Sequence, residues 1–230
     1  MKNNLKIANL SFQFAKDKPF FFHNLSASFE AGKIHAIYGR NGSGKSTLFR
    51  LLQGHLMADD VVSGQIQLGD HVISISSSEK SAFNRIKMVS QKFDSMLADQ
   101  LSFIENLKLA SLNEFPTFGT LPKHQPLPDF LKRFDIDMHK PVRLLSGGQR
   151  QILAILMVLQ KPCSVLLLDE PTAALDDQNA AMVMEFVRNL VQTMGMTMIM
   201  ICHDKELAQR YADTHVTMQV VGDERRLVTA

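Results

Sequence analysis

Gly39-Arg40-Asn41-Gly42-Ser43-Gly44-Lys45-Ser46 follows the mostly apolar run at residues 33–38 and precedes Leu48, Leu51 and Leu52 at helical spacing. The order is strand, glycine loop, helix, and it decides the fold class. Gly39, Gly44, Lys45 and Ser46 match the pattern G-x-x-x-x-G-K-[ST]. Its glycines let backbone N–H groups turn inward around phosphates, while the N-terminus of the following helix adds partial positive charge. Lys45 is placed to reach β- and γ-phosphates and Ser46 to ligate Mg²⁺. Arg40, Asn41, Gly42, Ser43 and Thr47 complete the wrap. The helix is expected from Gly44 or Lys45 to about Gly54.

Two further segments extend this apparatus. Val165-Leu166-Leu167-Leu168 is a short all-apolar run of the kind buried on both faces of a parallel sheet, and it ends at Asp169-Glu170. Asp169 stands where a carboxylate holds the Mg²⁺ shell in phosphate-loop enzymes. Glu170 can orient and deprotonate a water beside a γ-phosphate, or can simply balance the charge of Lys45. Upstream, Leu144-Leu145-Ser146-Gly147-Gly148-Gln149 combines an N-cap hydroxyl, two glycines that permit close approach, and the unpaired N–H donors of a first helical turn. By the same physics it is a second anion site, or else an ordinary capped helix start.

Elsewhere, weak alternation at residues 5–14 and 26–30 suggests short antiparallel strands, and residues 64–75 form a hairpin around Gly69-Asp70. Residues 88–91 follow as a short strand. From residue 93 to about 142 the character changes. Ile104, Leu107 and Leu109 have helical periodicity, residues 116–128 are Pro-rich, and residues 129–134 suggest another helix. A helix capped by Ser146 runs to Leu159 and is broken by Pro162. Residues 178–193 form a helix with Val183, Phe186, Val187 and Leu190 facing in. A strand at 197–201, a short helix at 205–211 and a last strand at 215–220 complete an alternation that implies a mainly parallel sheet with helices on both faces.

The 230 residues, 45% hydrophobic, suffice for one large α/β core or two small ones. A net charge of +2, with neither a basic stripe nor a long run of like charge, counts against a nucleic-acid partner. The longest apolar run of the second half, residues 152–159, is well short of the roughly 20 residues that span a bilayer. Residues 1–22 carry no apolar core with a small-residue cleavage site, so no secretory signal is read and a cytosolic chain is expected. Cys163 and Cys202 are too few for a disulfide framework, are expected as inert buried thiols, and leave Cys202 facing away from His203. Met196, Met198 and Met200 alternate as apolar filler on one face of a buried strand rather than as copper ligands.

In this order, the loop at Gly39, the Ser146 segment and the Asp169-Glu170 strand resemble the nucleotide-binding subunit of ATP-binding cassette (ABC) transporters over nearly the whole chain. The resemblance implies an α/β fold: a P-loop NTPase core with a mainly parallel sheet, an N-terminal antiparallel β subdomain and a helical insertion. All belong to one domain spanning 1–230, with residues 1–92 and 143–230 as core and residues 93–142 as helical subdomain. ATP and Mg²⁺ are the implied cofactors. Ser146, Gly147, Gly148 and Gln149 would dock on the γ-phosphate of ATP held by a second, facing subunit, so that a homodimer sandwiches two ATP molecules. Gln91 resembles the glutamine that touches Mg²⁺ and the attacking water, His203 the histidine that contacts the γ-phosphate, and Asp176 the loop aspartate that connects the half-sites. Phe14 falls where the family has a Tyr on adenine, and it retains the π face without the hydroxyl.

The helix after Gln149, R-Q-I-L-A-I-L-M-V-L, departs from the more Ala- and Arg-rich common version. With residues 99–110 it is more similar to a small group of bacterial importer ATPases. The resemblance further implies integral membrane permease subunits, an extracytoplasmic substrate-binding protein, no nucleic acid, and a place on the cytoplasmic face of the inner membrane. An exporter or lipoprotein-release ATPase and an ATP-dependent scaffold are the alternatives. A repair or translation ATPase would need a coiled-coil insertion or a second cassette, and a P-loop kinase would leave the Ser146 segment without a role.

Overall fold

A computed structural model of the chain describes residues 4–75, 80–112, 125–222 and 224–229. Its first half runs β1 (Leu5–Gln13), β2 (Phe22–Phe29), β3 (Ile34–Tyr38), α1 (Lys45–Leu52), β4 (Val61–Leu68), β5 (His71–Ser74) and β6 (Ile86–Val89). There follow α2 (Phe103–Ser111), α3 (Gly147–Val158), β7 (Val165–Asp169), α4 (Asp177–Met194), β8 (Thr197–Ile201), α5 (Lys205–Tyr211), β9 (Thr214–Val221) and β10 (Glu224–Thr229). The strands form an antiparallel sheet in the order β2-β1-β4-β5 and a second sheet in the order β10-β9-β3-β8-β7-β6. In the second sheet every pairing is parallel except that of β9 with β10.

Period-two alternation divides the parallel sheet between two cores. Leu166, Leu168, Met196, Met198 and Met200 face the cluster built with α2, α3 and α4, whereas Val165, Leu167, Ile199 and Ile201 face α1 and the antiparallel sheet. Helix α1 is thereby clamped between the two sheets through Leu48, Phe49, Leu51 and Leu52, all fully buried. Full burial of each such side chain contributes about 1.5–3 kcal/mol, so the glycine loop hangs from a rigid strand and a rigid helix. The three alternating methionines pack as the sequence suggested. On α4, Val183, Phe186, Val187 and Leu190 are all fully buried.

The segment between β6 and α3 is where the helical subdomain is expected. Among the described residues it holds one α-helix, α2, and three 3-10 turns at Phe93–Met96, Asp129–Phe134 and Val142–Leu144. The turn expected as a helix at 129–134 stops at Asp135, whose φ of 46° reverses the chain. On α2 the buried residues are Phe103, Asn106 and Leu107, while Leu109 faces outward. Most of the Pro-rich stretch, up to residue 124, lies outside the described residues.

A second correction comes at the C-terminal end, where residues 215–220 are not the last strand. Strand β10 pairs antiparallel with β9, and its Glu224 and Arg226 face out with an ion pair between them. Charges on an edge strand discourage further pairing, and they also remove the apolar alternation by which a strand is read.

Cys202 is buried as expected, but Cys163 is only partly covered. Burial nevertheless pushes the Cys163 thiol up to about 12. Only the thiolate is nucleophilic, so alkylation of Cys163 by iodoacetamide at pH 8 should be at least about 100-fold slower in the native protein than after denaturation. Equal rates, followed by peptide mass spectrometry, would show an exposed ordinary thiol.

Candidate functional site

Strand β3 delivers the chain to Gly39, and α1 takes it up from Gly44. Gly44 is the N-cap of α1 with φ 110°, and a Cβ there would lie 2.9 Å from the Phe21 ring, so both backbone and space demand glycine. No acidic residue lies in the first turn of α1 and no side chain caps it, which leaves its N–H donors directed at an incoming anion. Asn41, Gly42, Gly44, Lys45, Ser46 and Thr47 line a cavity of 700 Å³, a volume suited to a nucleotide. Gly39, Arg40 and Ser43 open instead onto a neighbouring cavity of 850 Å³ on the β9 side. The Lys45 ammonium folds back over its own loop and donates to the carbonyls of Gly39 at 2.8 Å and Arg40 at 3.2 Å. Burial pulls it below its ordinary value, against the opposing pull of Glu170 and Asp169.

Across the cavity, β7 ends at Asp169 and the chain turns at Glu170, whose φ of 51° is an uncommon conformation for a non-glycine residue. The turn is held by the Glu170 N–H donating to Ile201 O at 3.1 Å. It aims the carboxylate between two partners: Gln91 Nε2 donates to Oε2 at 3.0 Å, and His203 Nε2 lies 2.8 Å from Oε1. Lys45, Gln91, Glu170 and His203, expected as catalytic, therefore share one cavity. Burial, and then the Glu170 carboxylate, push Asp169 above its ordinary value, while Lys45 and His203 pull it down. Ser46 and Gln91 line the cavity, whereas Asp169 lies outside its lining at the end of β7 beside Glu170; all three offer hard oxygen donors, and no cluster of three or more His, Cys, Asp or Glu among the described residues could hold a metal alone. That donor set fits Mg²⁺, which keeps waters and takes phosphate oxygens rather than a full protein cage.

The Ser146 segment is built separately. Ser146 is the N-cap of α3 in a reciprocal box: its Oγ accepts from Gln149 N at 3.2 Å, and Gln149 Oε1 accepts from Ser146 N at 3.1 Å. Asp176 is the N-cap of α4 and accepts from Asn179 N at 2.8 Å. None of Ser146, Gly147, Gly148 or Gln149 lines the Lys45 cavity, and Ser146 and Gln149 open onto another of 580 Å³. On α3, the Arg150 Nε lies 3.1 Å from Asp94 Oδ1, three residues after Gln91.

Phe14, expected beneath the base, is half exposed and packs edge-on against Phe12 and Phe21, with ring centroids 4.9 Å apart in both cases. The ring that lines the Lys45 cavity is Phe21. Arg225 on β10 holds it in place, with its guanidinium carbon 3.7 Å from the ring centroid and an N–H bond to Phe21 O at 3.2 Å. Phe21 sits in a run of three phenylalanines, and only the fold distinguishes the member that faces the loop. Asn179, which contacts both Asp176 and the start of α3, likewise carried no signal in the sequence.

Comparison with known proteins gives a consistent result. The ABC transporter family profile matches residues 22–173. The phosphonates import ATP-binding protein PhnC 1 of Ruegeria sp. (strain TM1040) is 31% identical over 225 residues, covering 94% of this chain and 85% of that protein. The energy-coupling factor transporter ATP-binding protein EcfA2 of Staphylococcus aureus (strain MRSA252) is 30% identical over 227 residues, covering 94% of this chain and 76% of its own length. Among solved structures, cbiO1 of Clostridium perfringens, part of the ABC transporter complex cbiONQ, superposes with a TM-score of 0.79 at 28% identity, over 99% of this chain and 88% of that one.

Proposed function

The chain belongs to the ABC transporter family and is an ATPase subunit, and on that premise we propose that it powers solute import by closing as a homodimer around two ATP molecules. The observation that carries this reading is the separation of two candidate anion-binding helix starts. Helix α1 opens on the Lys45 cavity, and the Ser146 start of α3 lies outside it. On this reading a γ-phosphate held by Lys45 and Ser46 of one copy is met by Ser146 and Gly148 of a facing copy.

In the closed dimer Lys45 leaves its loop carbonyls for the β- and γ-phosphates, and the N–H donors of α1 take the remaining oxygens. Phe21, with Phe14 beside it, offers a ring against the base. Glu170, steadied by Gln91 and His203, accepts a proton from a water. The water oxygen bonds to the γ-phosphorus as the bond to the bridging oxygen of ADP breaks. Mg²⁺, held by Ser46, Gln91 and Asp169, would neutralise developing phosphate charge. Loss of the shared γ-phosphate removes the ligand that joins the two copies, and Asp176 connects the two half-sites as they part.

The face from Gln91 to Leu109, with Met96 and Leu109 exposed on it, is the proposed seat of a membrane permease. The Asp94–Arg150 pair would pass motion from that face to α3. No helix of the described residues is long and apolar enough to cross a membrane. Attachment through a permease at the cytoplasmic face, with an extracytoplasmic substrate-binding protein on the far side, follows from this reading. The name of the phosphonates import relative supports import over export.

Complementation tests the shared site. Lys45→Ala and Ser146→Ala chains should each be nearly inactive alone. Mixed, they form dimers with one intact site, which should restore about a quarter of wild-type phosphate release, because about half the dimers are mixed and one site in two is whole. No restoration in a mixture proven to contain mixed dimers would reject the grip in trans.

A further inference from the structure

The start of α3 is not waiting with vacant donors. Asn179, on the first turn of α4, reaches across so that its Oδ1 accepts from Ser146 Oγ at 2.8 Å and from Gly148 N at 3.3 Å. These are the two donors that the reading above assigns to the γ-phosphate of a facing copy. The orientation of the amide is fixed by its other end, where Nδ2 donates to Asp176 Oδ2 at 2.8 Å. A carboxylate can only accept, so the oxygen must face Ser146. The backbone N–H of Asn179 adds a second bond to Asp176, and these hydrogen bonds hold the Asp176 carboxyl below its ordinary value.

We propose that Asn179 is a positioning residue that acts as a stand-in for the γ-phosphate, occupying the Ser146–Gly148 donors while the dimer is open and tying their release to the Asp176 loop. The proposal rests on the grip in trans and names the residue that sets its threshold. A neutral amide oxygen keeps the donors oriented. It yields to a charged phosphoryl oxygen, whose hydrogen bonds are roughly twice as strong, and much less readily to neutral ligands. Nucleotide that lacks a γ-phosphate does not displace it. Once displaced, the amide stays tethered to Asp176, so filling of the donor pair is communicated to the loop between the half-sites.

Two substitutions should move the ATP concentration needed for dimerisation in opposite directions. In the Glu170→Gln chain, Asn179→Ala removes the competitor and should lower that concentration about two- to tenfold, the worth of one ordinary hydrogen bond. Asn179→Asp places a carboxylate against Ser146 and against Asp176, and should raise it at least about tenfold. A purely structural role predicts that Asn179→Ala, which loses the bonds to Asp176 and to the start of α3, raises the threshold instead of lowering it, so the direction of the Ala change separates the two roles. Sedimentation velocity across an ATP titration gives the readout, with Ser146→Ala as the reference variant. If Ser146→Ala raises the threshold and the two Asn179 variants do not separate in the stated order, the stand-in role is wrong and the grip stands. If Ser146→Ala has no effect on a dimer that still forms, the grip itself is wrong, and the stand-in falls with it.

Discussion

Glu170→Gln is expected to lower phosphate release by about two to four orders of magnitude, the range over which a positioned general base acts, while ATP remains bound and dimer accumulates. The replacement keeps the shape of the side chain. The turn at φ 51° belongs to the backbone, and the pocket between Gln91 and His203 still receives a group of the same size. What is lost is the capacity to take a proton from water. Because binding and chemistry lie on different groups, the loss should fall on kcat, with little change in the ATP concentration at half-saturation. Single-turnover hydrolysis with radiolabelled ATP, alongside light scattering for the dimer, separates the two. Turnover close to wild type would leave Glu170 as no more than a counter-charge for Lys45, the simpler of its two sequence readings. Gln91→Ala and His203→Ala should each cost less than Glu170→Gln, because either partner alone can still orient the carboxylate.

The phosphate loop was legible because its constraint is local: Gly44 must adopt φ 110° beside a ring, and no other residue does this cheaply. The central strands were legible because burial on both faces leaves no room for polar residues, as in Val165 to Leu168. Strand β10 carries the opposite constraint. An edge position tolerates Glu224 and Arg226 and thereby erases the period on which a strand is recognised. Phe21 and Asn179 escaped notice for another reason. Each meets the site through a partner distant in sequence, Arg225 in one case and Ser146 in the other. Spacing along the chain cannot report a contact that only the packing of β10 on β2, or of α4 on α3, creates. The 3-10 segment at 129–134 shows the limit of periodicity: Leu131 and Phe134 are buried as a helix would bury them, yet six residues are too few to distinguish the two geometries.

Lys45→Ala should weaken ATP binding about 10- to 100-fold, the equivalent of losing hydrogen bonds to a charged group, as read by fluorescence of a nucleotide analogue. Unchanged affinity would remove the loop from nucleotide binding. The same variant should also change how stability responds to pH. Asp169 is pushed up by burial and by Glu170, and Lys45 is the first of the two groups that pull it back. Without that ammonium the folded-state value of Asp169 rises further above its unfolded value, so the native state binds the proton more tightly than the unfolded chain. Stability then falls as pH rises from the unfolded aspartate value through the raised folded value, and stays at its lower level above it. This is opposite in sign to an ordinary salt-bridged carboxylate, whose stability is lost on acidification. The Lys45→Ala chain should therefore lose more stability than wild type as pH rises from 5 to 7, so the difference in melting temperature between the two chains shifts with pH. A difference that is constant across this range would mean that Lys45 and Asp169 do not interact, and that the phosphate loop and the end of β7 titrate as independent sites.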